Sequence, residues 1–172
     1  LNRAGLADLI NILNEFEPKV IGIDAFFRKK NDPQLDSALS QAFSRTKNLV
    51  LVSELIENDT TNNVDTVNYS NRLFMQYARA GFADMIAQGK NSLNTARDCI
   101  PKEIYNNDTL LSFPSMLVRI YAPEKLERYL ARNNDVETIN YVGNINIHTE
   151  GSTVNSKNVF TALDWYEVLE KK

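Results

Sequence analysis

A single cysteine, Cys99, leaves no partner for an internal disulfide, and a single histidine, His148, rules out histidine-rich metal sites and disfavours a histidine-centred triad. No apolar run approaches the roughly 18 residues of a membrane span, and no signal-peptide pattern opens the chain. No basic block is present either: 19 Lys and Arg against 22 Asp and Glu give a net charge of -3, which argues against nucleic acid as a partner. A glycine-rich phosphate loop, a nucleophile elbow and a paired general base are also missing. What is there is a chain of 172 residues, read as one domain over 1–172, long enough to bury a core without disulfide or metal staples. It begins at Leu1 and not at methionine, so flanking segments are expected beyond it. The sequons at Asn58, Asn68 and Asn107 are those that chance supplies in an asparagine-rich chain.

The organising stretch is Val20-Ile21-Gly22-Ile23-Asp24-Ala25-Phe26-Phe27. Its apolar, β-branched start is too short for a helix and predicts a strand buried on both faces at the centre of the fold. Before it, Leu6, Leu9, Ile10, Leu13 and Phe16 recur at helical spacing, and Pro18 stops that helix. After it, Asp32-Pro33 starts a second helix with Leu35, Ala38, Leu39, Ala42 and Phe43 as its stripe. Asn48 to Val52 is a second buried strand, so the order predicts a parallel β-α-β unit. Residues 54–71 have little to bury and read as a long loop or lid. Arg79 to Ile86 reads as a strand bent at Gly81, with Thr95 to Ile100 returning as the second arm of a hairpin. Phe113 to Tyr121 and Pro123 to Leu130 are two further helices, Glu137 to Val142 a strand, and Asp164 to Leu169 a final helix with capping-box spacing at Asp164 and Glu167. The fold class is α/β: a mixed sheet with a parallel β-α-β core, an added antiparallel hairpin and flanking helices.

Asp24 sits where open α/β sheets expose their ligand crevices, at the C-terminal end of a strand. It can contact ligand there, or its carboxylate can accept backbone amides of the following loop, the commoner role for such a residue. Arg97 can clamp an anionic ligand with its planar fork, or pair with Asp24 or Asp84 to hold the hairpin. Both roles are compatible within one pocket. His148 with Glu150 lacks a third metal ligand, Cys99 lacks a nearby histidine and reads as a small core residue, and Asp32 and Asp36 suit helix capping and the helix dipole. No catalytic residue, metal site or cofactor is assigned.

Four landmarks in order give the chain a resemblance to CHASE2 domains, bacterial extracytoplasmic sensory modules. They are the strand Val20 to Asp24, Gly81-Phe82 opening a hairpin that reaches Arg97, the helix start Ser112-Phe113, and Ile139-Asn140-Tyr141-Val142-Gly143 ahead of the aromatic helix at Trp165-Tyr166. The chain departs from that pattern at Asp84 where asparagine is usual, at Leu93-Asn94 where Asp-Gly is usual, and at Val142 where arginine is usual. These changes leave the fold in place but do not carry a ligand across.

The resemblance implies a non-enzymatic sensor placed outside the cytoplasmic membrane, held by flanking transmembrane helices and relaying an unknown small-molecule or protein signal to a cytoplasmic output domain. Asp24, Asp84 and Arg97 are then the candidate ligand-binding residues, and a homodimer is an arrangement open to such a sensor. The alternatives are an α/β hydrolase-type enzyme using Asp24, or a protein-interaction module with the 54–71 loop as its contact surface.

Overall fold

The computed structural model describes residues 2–58, 64–83, 85–87, 96–140 and 162–170. The chain forms two compact units, residues 1–139 and residues 140–172.

The first unit opens with α1 (Arg3–Glu15), capped by the Asn2 side chain, and β1 (Ile21–Ile23). Asp32 caps α2 (Pro33–Arg45) by accepting from the Gln34 and Leu35 amides, as the Asp-Pro pair predicts. Then come β2 (Leu49–Glu57), β3 (Val64–Asn68), the short α3 (Arg72–Met75) and β4 (Ala78–Phe82). The remainder is β5 (Met85–Ala87), β6 (Ala96–Cys99), the hairpin β7 (Lys102–Tyr105) and β8 (Asp108–Leu111), α4 (Phe113–Tyr121), α5 (Pro123–Leu130) and β9 (Glu137–Thr138). In the second unit the described element is α6 (Trp165–Leu169), where Glu167 accepts from the Asp164 amide at 2.5 Å as the capping-box spacing predicts.

The sheet is mixed. β2 pairs in parallel with β1 on one side and with β4 along the same stretch, then antiparallel with β3 over its second half. β5, β6 and β9 form a separate antiparallel ladder. Three expectations change here. The central strand is β2, whose Leu49 to Val52 are buried, whereas β1 lies at an edge. The stretch read as one strand from Arg79 to Ile86 is two, β4 in the parallel sheet and β5 in the other ladder. The presumed lid at 54–71 is largely the end of β2 and all of β3, with 59–63 outside the described residues. Polar composition hid these strands because β3 lies half in solvent, where only one side of a ladder needs apolar residues.

Alternation along the strands assigns the two faces. Ile21, Leu49 and Leu51 join Leu6, Ala7 and Ile10 of α1, Leu39, Ala42 and Phe43 of α2, and Phe27 and Phe74, in one buried cluster. The rings of Phe27, Phe43 and Phe74 meet with centroids 5.4–5.9 Å apart. Both crossovers, β1 to β2 and β2 to β4, step the same way across the sheet and place α2 and α3 on the same face, as a constant hand requires. Phe16, placed in the apolar stripe of α1 by spacing, is instead its exposed C-cap, after which Glu17 turns through φ 48.

The opposite face belongs to α4, and glycine lets it come close. A Cβ at Gly81 would lie 2.6 Å from the Phe113 Cα and 3.0 Å from its nitrogen, both backbone atoms. At Gly22 the nearest obstacle is the Leu117 Cδ2 at 2.8 Å, the end of a side chain that can rotate.

One buried ion pair fastens the first face. The Arg3 guanidinium of α1 pairs with Asp36 in the first turn of α2, and both residues are buried. Arg3 also donates to the Lys29 carbonyl at 2.6 Å and lies 5.2 Å from the Phe74 ring centroid. The second carboxylate oxygen of Asp36 accepts the Asn31 amide at 2.9 Å. Burial pushes the Asp36 carboxyl up, but the Asn31 amide, the Arg3 hydrogen bond and the charges of Arg3 and Lys30 outweigh it and hold it below its ordinary 3.8.

Gly81→Ala is expected to lower stability by about 1–3 kcal/mol, because the α4 backbone itself must move; Gly22→Ala should cost clearly less, and urea denaturation of both variants measures the difference. Asp36→Asn strands a buried guanidinium and should cost about 3–5 kcal/mol. The sign of the pH effect follows from the lowered carboxyl: its contribution is full above the ordinary 3.8 and is lost as pH falls through the folded value. Wild-type stability should therefore drop more steeply than that of Asp36→Asn on acidification below about pH 5. Equal slopes in acid denaturation would count against the pair as the cause.

Candidate functional site

Asp24 follows the last residue of β1, at the C-terminal edge of the parallel strands, as its position in the sequence predicts. The loop that carries it is tied down at alternate residues. The Phe27 amide donates to Ser70 Oγ at 2.9 Å and its carbonyl accepts from the Asn71 amide at 2.8 Å, while its ring enters the aromatic cluster. Lys29 and Asn31 are held by Arg3 and Asp36, as described above. Between these ties Arg28 Nη2 meets Glu54 Oε2 at 2.6 Å, an oxygen that also accepts from Asn68 Nδ2 at 3.3 Å. The Arg28 guanidinium stacks 4.0 Å from the Phe26 ring centroid. That pair is exposed, so its worth is geometric more than energetic.

Asp24 is exposed, and among the described residues its carboxylate has no hydrogen-bond or ion-pair partner. The role of accepting loop amides is filled by Asp36, which spacing alone marks only as a first-turn acid. Arg97 lies on β6 with its side chain exposed; its carbonyl accepts from the Ile139 amide at 2.7 Å. The structure brings no described acid into an ion pair with Arg97, and Asp84 lies outside the described residues. The buried acid of β6 is the adjacent Asp98, on the opposite face of the strand, which accepts from Thr138 Oγ1 at 3.1 Å.

Cys99 is half-buried and its thiol donates to the Glu137 carbonyl at 3.5 Å. Beside it, burial first, then the Cys99 thiol and the Glu137 charge push the Tyr129 hydroxyl up to about 12, against the opposing charge of Arg132. Arg132 in turn pairs with Glu137 at 3.0 Å and covers the Tyr129 ring at 4.5 Å. His148 and Glu150 lie outside the described residues.

Clefts lined by described residues include three of about 340, 460 and 520 Å³. The first runs between α2 and α3, with Asp36, Ser40 and Leu73 in its wall. The other two lie at the N-terminal edge of the parallel strands and share Asn48 and Ile120. Neither Asp24 nor Arg97 lines any of the three. Sequence reading missed the N-terminal clefts because their residues are scattered from Asn14 to Ile120 and no local motif joins them.

Three of the landmark stretches, the β1 strand, Gly81-Phe82 and Ser112-Phe113, meet in a packing joint. Gly22 lies under Phe113 and Leu117, and Gly81 under the Phe113 backbone, so a strand glycine, a second strand glycine and the Ser-Phe helix start are one contact seen three times. Ser112 closes it, accepting from the Ser115 amide at the start of α4 and bridging in parallel to Phe82. These landmarks report the architecture and do not by themselves mark a ligand site.

Comparison with curated proteins and with solved structures gave no match. The family model described as the CHASE2 domain matches residues 1–169, across both compact units. The chain therefore belongs to the CHASE2 domain family, a family of extracytoplasmic sensory domains.

Proposed function

We propose that this domain is the extracytoplasmic ligand-sensing part of a bacterial transmembrane receptor and relays its signal to a cytoplasmic output domain. The observation that carries this reading is the family match over residues 1–169. Among the described residues no helix is long and apolar enough to cross a membrane; in this reading the receptor's membrane helices flank the domain. Its signal is a small molecule or a protein, and Asp24, Asp84 and Arg97 are the residues proposed to meet it. Support for Asp24 comes from its place on a loop pinned at Phe27, Lys29 and Asn31, with a carboxylate left open to solvent. Ligand binding would favour one arrangement of the domain, with α1 and α6 as the elements that pass the bias on. The hydrolase-type reading draws no support from a family of sensory domains.

Placement is tested in cells expressing the full receptor with Cys99→Ser and a cysteine introduced on exposed α5 as Glu124→Cys. A membrane-impermeant maleimide should label it in intact cells; labelling only after permeabilisation would overturn the extracytoplasmic assignment. The ligand role is tested by thermal shift against amino acids, organic acids, sugars and nucleotides. A true ligand at 100 times its Kd adds about 2.7 kcal/mol and raises the midpoint by roughly 5 to 10 °C. Folded Asp24→Ala or Arg97→Ala should abolish that shift, and a shift both variants retain would remove these residues from the site.

A further inference from the structure

The N-terminal edge of the parallel strands gathers positive charge. Lys19 precedes β1, Arg45 ends α2, Lys47 precedes β2, Arg79 lies in the first half of β4 and Arg119 is in the last turn of α4. All five are exposed and line the two clefts that meet at Asn48 and Ile120. The one acid in those walls is Glu17. Among the described residues none of the five cations has an ion-pair partner. In a chain whose acids outnumber its bases by 22 to 19, this is a strong local reversal.

Helix ends account for part of it. α1 and α2 both finish at this edge, where Asn14 Nδ2 donates to Thr46 Oγ1 at 3.1 Å, and α4 brings Ile120 to the same place. Each C-terminus carries roughly half a negative charge, which favours Arg45 and Arg119 in the last turns. Three such ends supply roughly -1.5, short of the surplus of five cations over Glu17, and they do not explain Lys19, Lys47 or Arg79 on the strand side. Two of these cations are also positioned. Arg79 Nη1 donates to Asn48 Oδ1 at 3.4 Å, and Asn48 Nδ2 donates to the Lys19 carbonyl at 2.9 Å. The Lys19 ammonium sits 4.7 Å from the Tyr121 ring centroid.

We propose that this edge is a binding site for a small multivalent oxyanion, of the phosphate or polycarboxylate class, held between Arg79 and Arg119 on one side of Asn48 and Lys19, Arg45 and Lys47 on the other. Planar guanidinium forks recognise both oxyanion classes through paired charged hydrogen bonds. Cleft volumes of about 460 and 520 Å³ suit a small ligand better than a flat surface contact. The site lies apart from Asp24 at the opposite edge, and the inference does not rest on the receptor reading: binding to the isolated 172-residue chain can succeed or fail whatever side of the membrane the chain occupies.

The test is isothermal titration of the chain with pyrophosphate and with citrate, at ionic strength matched with sodium chloride. Saturable binding of either probe is expected with a Kd below a millimolar. Arg79→Gln and Arg119→Gln, both exposed and checked for folding by circular dichroism, should each weaken it about tenfold or more. Lys102→Gln, on the β7 hairpin and outside both clefts, should leave it within about twofold. No saturable binding of either probe below 10 mM (roughly the floor for a specific site) would overturn the proposal. So would binding that Arg79→Gln and Arg119→Gln leave intact, or that all three variants weaken alike, since the last is a diffuse charge effect.

Discussion

Most of what the first unit does spatially depends on a guanidinium and a carboxylate that have been taken out of water together. A buried ion gains little unless every donor and acceptor around it is used. Around Arg3 and Asp36 no fully buried side-chain nitrogen or oxygen among the described residues lacks a partner: between them they hold α1, α2, the Lys29 carbonyl and the Asn31 amide, with Phe74 beside the guanidinium. The apolar cluster beneath can be satisfied by several rotations of one helix on another, because dispersion and burial have little direction. The ion pair can be satisfied by one. It therefore converts a nonspecific contact of α1 with α2 into a defined one, and it fixes the path of the loop that carries Asp24.

The two edges of the parallel sheet consequently differ in kind. At the C-terminal edge the backbone is stapled at every second residue and the exposed groups, Asp24, Phe26 and the Arg28–Glu54 pair, are displayed from a rigid support. At the N-terminal edge long basic side chains border two clefts and few of their polar atoms are committed. The close seat of α4 over Gly22 and Gly81 contributes to the second of these. It covers the second face of β2, and it delivers Arg119 and Ile120 to the basic edge while Ser112 stays at the other end beside Phe82.

Elements with strong local chemistry were legible in the sequence. Asp32-Pro33 gives α2, the Ser112 cap and Pro114 give α4, and the Asp164 and Glu167 spacing gives α6. Elements that depend on tertiary partners were not. β3 and the second half of β2 are amphipathic only with respect to each other, and α3 is a single turn whose one buried ring, Phe74, is recruited by Phe27 and Phe43. The hairpin of β7 and β8 had a readable signal: Asn106 and Asn107 both take left-handed φ, 51 and 63, as a two-residue hairpin turn demands, and asparagine tolerates it. For the candidate site, the position of Asp24 was legible, but Arg3 with Asp36 and the basic edge were not. Partners 33 residues apart, or five cations spread over a hundred positions, leave no periodic mark.

β2 serves two ladders with one backbone. Leu49 to Ser53 pair in parallel with β1 and β4, and from Glu54 the same strand pairs antiparallel with β3, with one irregularity between Ile56 and Glu57. Side chains on a strand alternate with a period of two, so parity set in one ladder is inherited by the other. A length change near Ser53 could not be absorbed locally: keeping Leu49 and Leu51 toward α1 and α2 would invert β3, and keeping β3 would turn Val50 and Val52 away from α4. The bulge lies beyond this point, nearer the strand's free end, where a slip disturbs only the outer ladder. The inner half of β2 thus sets the length of the strand for both, and variation in this fold has room to accumulate past Ile56 and not before it.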